Sequence, residues 1–197
     1  MRHGEVEARY QRVFGGKIDM DLSPEGVEQT RRLAAHSSRL KIDYIYVSPL
    51  KRARLSVDPL AQALAQTPTV LPDLREVDFG AWTGLHWDEV MERFGVSAFD
   101  WLTELDRGGI PEAEPIASYA SRVETALRQI IHEQTGKTVA VMCHGGVIRM
   151  LLAILLELPL PKTAAFEIDY ASLTIVDYRP RKRVIELLNF TPWRDLT

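Results

Sequence analysis

The sequence predicts an α/β protein, a three-layer α/β/α sandwich around a mostly parallel central sheet. Two junctions carry the prediction. In TVAVMCHGGVIRMLLAILLEL an uninterrupted apolar run, Val139 to Cys143, passes through His-Gly-Gly into an apolar helix, the pattern of a strand buried on both faces. In YIYVSPLKRARLS the run Tyr44 to Val47 gives way to Ser48-Pro49, which read as the N-cap and first residue of a helix.

The other elements follow in order. Ser23 is a candidate N-cap with Pro24 behind it, and Val27, Leu33 and Ala34 recur at helical spacing. The helix after Ser48-Pro49 is expected to break or kink near Asp58-Pro59, because an interior proline loses a backbone hydrogen bond; a second piece, Leu60 to Gln66, follows. TVLPDLREVDFGAWTGLHW mixes prolines, glycines and aromatics and reads as an ordered loop entering a helix near Trp87 to Phe94, with a shorter helix around Ala98 to Leu105. Ala117 to Gln134 places Tyr119, Val123, Leu127, Ile130 and Ile131 on one helical face, with Gly136 as its terminal glycine. Phe166 to Asp169, Leu173 to Asp177 and Val184 to Leu188 read as strands joined by turns.

A chain of 197 residues with no linker or repeat is expected to form one domain. It is 46% hydrophobic and 26% charged with a formal net charge of −3, which offers no field for nucleic acid. The single cysteine, Cys143, precludes an internal disulfide and fits the cytoplasm. The strongest apolar run carries Arg149 and Glu157 and ends at Pro159, so it reads as a buried helix and no membrane partner is expected.

The chemistry collects at the two junctions. Helix N-termini present unpaired N–H groups and a positive dipole end, and ligands of open α/β sheets gather at the carboxyl ends of the strands. Arg52 and His144 fall there. Arg2 adds a second planar fork for phosphate oxygens, and two histidines, two arginines and Glu76 could converge on one phosphoryl group. Taken singly, each residue is an ordinary surface or helix-face charge.

Five pieces of the chain, RHGE at 2–5, FGGKIDMDLSPEG at 14–26, SPLKRA at 48–53, LREVDFGAWTGL at 74–85 and HGGVIR at 144–149, together resemble the histidine phosphatase superfamily, in its phosphoglycerate mutase-like branch. They fall in the family's order, and LLNF at 187–190 looks like its last strand. The resemblance implies a phosphoglycerate mutase-like fold and a phosphomonoester hydrolase acting on a small phosphorylated metabolite, with no cofactor and no metal. It makes His3 the nucleophile, gives Arg2, Arg52 and His144 the equatorial phosphoryl oxygens, and makes Glu76 the acid for the leaving alcohol. Substrate contacts from Gly145 and from the backbone of Gly15 and Gly16 are implied with them. The chemistry fits: a neutral imidazole is a usable nucleophile near pH 7, and the arginines with a protonated His144 would stabilise the transferring group. Glu76 would need its carboxyl raised from about 4.3 to hold a proton. RHGEV with FGGKID looks somewhat like the α-ribazole phosphatase subgroup.

Three features depart from the family. Only Met1 precedes Arg-His-Gly where the family has an apolar central strand; a misplaced start is expected, and otherwise a partner chain, such as a second copy in a homodimer, or another segment would cover the open edges. Arg9 stands in place of a common asparagine and is a candidate contact to a second anionic group. AEPIAS replaces a Gly-Glu-Ser before the long helix. Two alternatives remain: mutase-type transfer, although Leu85 to Glu114 holds only Arg93 and Arg107 and no lysine, and a phosphate-binding module without turnover. A zinc hydrolase is disfavoured because His3, Glu76 and His144 lack short ligand spacing. His36, His86 and His132 match no motif and are assigned to surface or packing, and Cys143 to the core.

Overall fold

The computed structural model describes residues 1–179 and 182–196. Its centre is three parallel strands in the order β2-β1-β3, where β1 is Tyr44–Val47, β2 Thr69–Val70 and β3 Val139–Met142. Tyr44 pairs with Val139 and Val47 with Met142, so β1 and β3 end level. Side chains alternate between the two faces. Ile45, Val47, Ala140 and Met142 pack with helices α1 (Pro24–Ser37) and α2 (Lys51–Leu64), while Tyr46, Val139 and Val141 pack with α5 (Ile116–Glu133) and α6 (Gly145–Leu156). That double coverage is why the strands carry few polar residues.

A second sheet is an antiparallel hairpin of β4 (Leu173–Arg179) and β5 (Lys182–Phe190). The opening tripeptide lies between it and β3. Met1 donates its ammonium to Val141 O at 2.9 Å, His3 N donates to Cys143 O at 3.1 Å, and Arg2 N donates to Ser172 O at 3.0 Å. Ala171 N donates back to His3 O at 2.9 Å. Residues 1–3 are therefore held on both sides by backbone hydrogen bonds, as a strand would be.

Most predicted elements appear within a residue or two. Ser23 caps α1 by accepting from Gly26 N at 2.9 Å, and its hydroxyl donates to Glu5 at 2.7 Å. Gly26 is required there, since a Cβ would lie 2.0 Å from Glu5 O. Leu33 and Ala34 are buried, but Val27 faces solvent at 49% exposure. The aromatic loop leads into α3 (Trp87–Phe94), followed by α4 (Trp101–Asp106), and the chain's last short helix is α7 (Pro192–Asp195).

Four expectations are corrected. Ser48-Pro49 do not start a helix: α2 begins at Lys51, and the Ser48 hydroxyl is taken by His144. Helix α2 runs unbroken through Pro59, because the proline removes one hydrogen bond while Val57 and Leu60, 2% and 1% exposed, hold the same face in the core on either side of it. Phe166 to Asp169 is not a strand; arginine side chains take its carbonyls, Arg149 that of Phe166 at 2.5 Å and Arg2 that of Ile168 at 2.6 Å. His86 is neither loose surface nor packing, since its ring accepts from Asp88 N while Glu89 accepts from His86 N, a capping box that starts α3.

Candidate active site

The carboxyl ends of β1 and β3 place Ser48 and His144 side by side, and residues 1–3 bring His3 and Arg2 to the same end of the sheet. His3 is 5% exposed. Its Nδ1 lies 2.8 Å from Gly4 O, which requires the proton on Nδ1 and makes Nε2 the nitrogen that carries the lone pair. Arg52 Nε donates toward that Nε2 at 3.3 Å. The Arg52 fork is fixed by Nη1 to Ile18 O at 2.8 Å and Nη2 to Gly16 O at 2.9 Å, so the glycine loop orients the arginine through its carbonyl. Burial, then the Arg52 and Arg2 charges, hold the His3 imidazole well below its ordinary range, so it is neutral at pH 7.

Arg2 stacks on Tyr170 with its guanidinium carbon 3.9 Å from the ring centroid, and its buried Nε has no hydrogen-bond partner among the described residues. A Cβ on Gly145 would sit 3.6 Å from that Nε, so Arg2 crosses directly over the start of α6.

His144 is fully buried, its ring centroid 5.2 Å from that of His3, and it lies beneath the cleft rather than in its lining. Its Nε2 is 2.6 Å from Ser48 Oγ, and its Nδ1 has no hydrogen-bond partner among the described residues. Leu50 N also donates to Ser48 Oγ, at 3.3 Å, so the hydroxyl is held between the start of α2 and the His144 ring. Burial, with the charges of Arg52, His3 and Arg2, pushes this imidazole well below its ordinary range, which works against the protonated form expected from the sequence.

Glu76 faces this group from the loop after β2. Its Oε1 accepts from Val77 N at 3.0 Å and its Oε2 from Gly146 N, at the start of α6, at 3.1 Å. Gly146 makes that approach feasible, because a Cβ would meet Oε1 at 2.4 Å. The loop itself is held from behind by Arg122 of α5, which donates to the carbonyls of Asp73 and Arg75 at 2.7 Å and of Glu76 at 3.3 Å. Arg122 also forks onto Glu114 at 2.6 and 2.7 Å. Glu114 lies in the AEPIAS segment, so the departure noted in the sequence still supplies a carboxylate, here spent on supporting the Glu76 loop.

Arg2, His3, Arg52, Glu76, Gly15, Gly16 and Gly145 line one cleft of about 390 Å³. Arg9 does not join them; it is exposed and paired with Glu7 at 3.1 Å. Sequence reasoning missed Ser48, Arg122, Tyr170 and Arg149. Ser48 and Arg149 lay inside quoted motifs, whereas nothing local marked Arg122 or Tyr170, whose partners are distant in the chain. Cys143 is buried and its thiol is pushed up to about 11, so it is an inert core residue as expected. Among the described residues no helix is long and apolar enough to cross a membrane, and no group of three His, Cys, Asp or Glu is placed to hold a metal.

Comparison with known proteins follows the same lines. Phosphoserine phosphatase 1 of Hydrogenobacter thermophilus is 32% identical over 191 residues, covering 97% of this chain and 90% of that protein. The α-ribazole phosphatase of Shigella flexneri superposes with a TM-score of 0.84 at 22% identity, covering 97% and 95% of the two chains, a likeness of fold. A phosphoserine phosphatase of Entamoeba histolytica in complex with 3-phosphoglyceric acid gives 0.81 at 25% identity over 96% and 94%. The profile of the histidine phosphatase superfamily (branch 1) matches residues 1–191, and the chain belongs to that family.

Proposed function

We propose that this protein hydrolyses phosphomonoesters of small metabolites through a phosphohistidine on His3. The observation that carries the reading is the state of His3: buried, neutral, its Nδ1–H tied to Gly4 O, and its Nε2 beside the Arg52 guanidinium. A lone pair so oriented is a nucleophile before substrate arrives. Nε2 attacks phosphorus, the bond to the ester oxygen breaks, and Glu76 gives a proton to the departing alkoxide. Water then attacks the phosphorus with Glu76 accepting its proton, the P–N bond breaks, and neutral His3 returns. Arg52, Arg2 with its Nε unpartnered among the described residues, and His144 in the tautomer that carries its proton on Nδ1 supply the donors for phosphoryl oxygens, which is the main demand of phosphoryl transfer.

The names of the relatives, phosphoserine and α-ribazole phosphatases among them, support a small phosphorylated substrate. Arg9, paired outside the cleft, has no part in this scheme, while Gly15, Gly16 and Gly145 shape the site through backbone and close approach. We assign one domain over residues 1–197 and a cytoplasmic location, the latter on the single buried thiol. Hydrolysis of para-nitrophenyl phosphate by purified protein tests the activity. Turnover is expected in the wild type and absent in His3→Ala; a folded wild type without turnover would establish the phosphate-binding module instead.

A further inference from the structure

Beyond the phosphate-binding floor the cleft continues between two unlike walls. One is aromatic: Phe79, Trp87, Phe99 and Trp101 line it, Phe79 meeting Trp101 edge-on at 5.3 Å and Trp87 meeting Phe99 edge-on at 5.4 Å. Phe99 is 75% exposed at the rim. A phenylalanine there is not core; it holds apolar surface in water, and apolar surface beside a reactive centre is what a ligand's own apolar surface covers. The other wall is polar, but most of its charges are already used within the protein. Arg149 donates through Nη1 to the carbonyls of Thr163 and Phe166, and Asp169 accepts from Asn189 and Arg194. Of the charged residues described on that wall Glu167 is the exposed one, and its carboxylate opposes a second anionic group on the substrate. The volume of about 390 Å³ is far more than a phosphoryl group fills.

We propose that the outer cleft is a subsite for a flat aromatic body on the leaving alcohol, so that the preferred substrates are phosphomonoesters of aryl-bearing alcohols rather than of small zwitterionic or polyhydroxylic ones. This rests on the phosphatase reading above and deepens it. Edge-to-face aromatic pairs already organise the wall, and a ring entering between Phe99 and Trp101 extends them. Because Phe99 contributes through exposed surface, its loss affects binding of the ring and not the phosphoryl chemistry on the floor.

The test compares kcat/KM for 2-phenylethyl phosphate, glycerol 3-phosphate and O-phosphoserine, all esters of primary alcohols, so that differences report the body of the leaving group. The phenylethyl ester is expected to exceed both others by about tenfold or more. Phe99→Ala should lower that value about fivefold, Phe99→Tyr should retain it, and glycerol 3-phosphate should be unchanged throughout. Equal values, a preference for phosphoserine, or an equal loss on all three esters would overturn the subsite. Tryptophan fluorescence of His3→Ala, titrated with the same three esters, separates this inference from the catalytic one. Selective binding of the phenylethyl ester there upholds the subsite even if the wild type proves inactive, and unselective binding or no binding refutes it.

Discussion

The two sides of the cleft are held by different means. On the nucleophile side the reacting side chains are themselves held, each by its own hydrogen bonds: His3 by the Gly4 carbonyl, Arg52 by the Gly16 and Ile18 carbonyls, His144 by Ser48. On the acid side the Glu76 carboxylate accepts two backbone N–H groups, but the loop carrying it is held by one buried arginine reaching over from α5. Direct support touches the reacting group, whereas Arg122 supports Glu76 through the backbone of the loop that carries it. The nucleophile side should therefore fail by losing the chemistry outright, and the acid side by losing it for difficult leaving groups.

The largest effect breaks the nucleophile side: His3→Ala should reduce kcat on any phosphomonoester by about a thousandfold or more, measured against a folded control. Next, Glu76→Gln should cost about a hundredfold on alkyl phosphates but little on para-nitrophenyl phosphate, whose leaving group hardly needs a proton. Equal losses on both esters would remove Glu76 from the role of acid. Arg122→Gln sharpens the comparison. It should reproduce the Glu76→Gln selectivity in weaker form, about tenfold on alkyl phosphates, with partial recovery in Arg122→Lys. Since breaking a buried pair costs about 3–5 kcal/mol of stability, Tm is measured alongside; a lowered Tm with uniform kinetics would make Arg122 merely structural.

Smaller still is the pH effect. His3 and His144 are both pushed below the usual histidine value by burial and neighbouring arginines. The unfolded chain therefore binds more protons than the folded one below about pH 6.5, so stability is complete above that pH and is lost as pH falls toward the depressed folded values. Urea midpoints at pH 7.5 and 5.5 should differ in that direction, and less in His3→Ala; a flat profile would contradict neutral buried imidazoles. Ser48→Ala should be the mildest, about 1 kcal/mol for one lost hydrogen bond, seen as a few-fold fall in kcat as the His144 ring loses the hydroxyl that orients it.

What could be read in the sequence follows from how far each signal is carried by neighbouring residues. Strands β1 and β3 and helices α1, α3, α5 and α6 were legible because apolar periodicity is local, as were His3, Arg52 and His144 within their motifs. Ser48 was visible but misread, since an N-cap and a histidine partner look alike until the neighbouring strand is in place. Phe166 to Asp169 looked like a strand because its residues are right for one, but its carbonyls went to two arginines over a hundred residues or a helix away. Arg122 left no local trace, being one arginine on a helix face whose purpose appears only when residues 73–76 and 114 reach it.

The central claim is the covalent step on His3. Rapid mixing of the wild type with para-nitrophenyl phosphate, followed by alkaline quench and mass spectrometry of the N-terminal peptide, reads it directly. The account predicts an added phosphoryl group on His3, on the catalytic time scale and absent from His3→Ala. Steady turnover with no phosphorylated His3 at any quench time, or with the group on another residue, would contradict it.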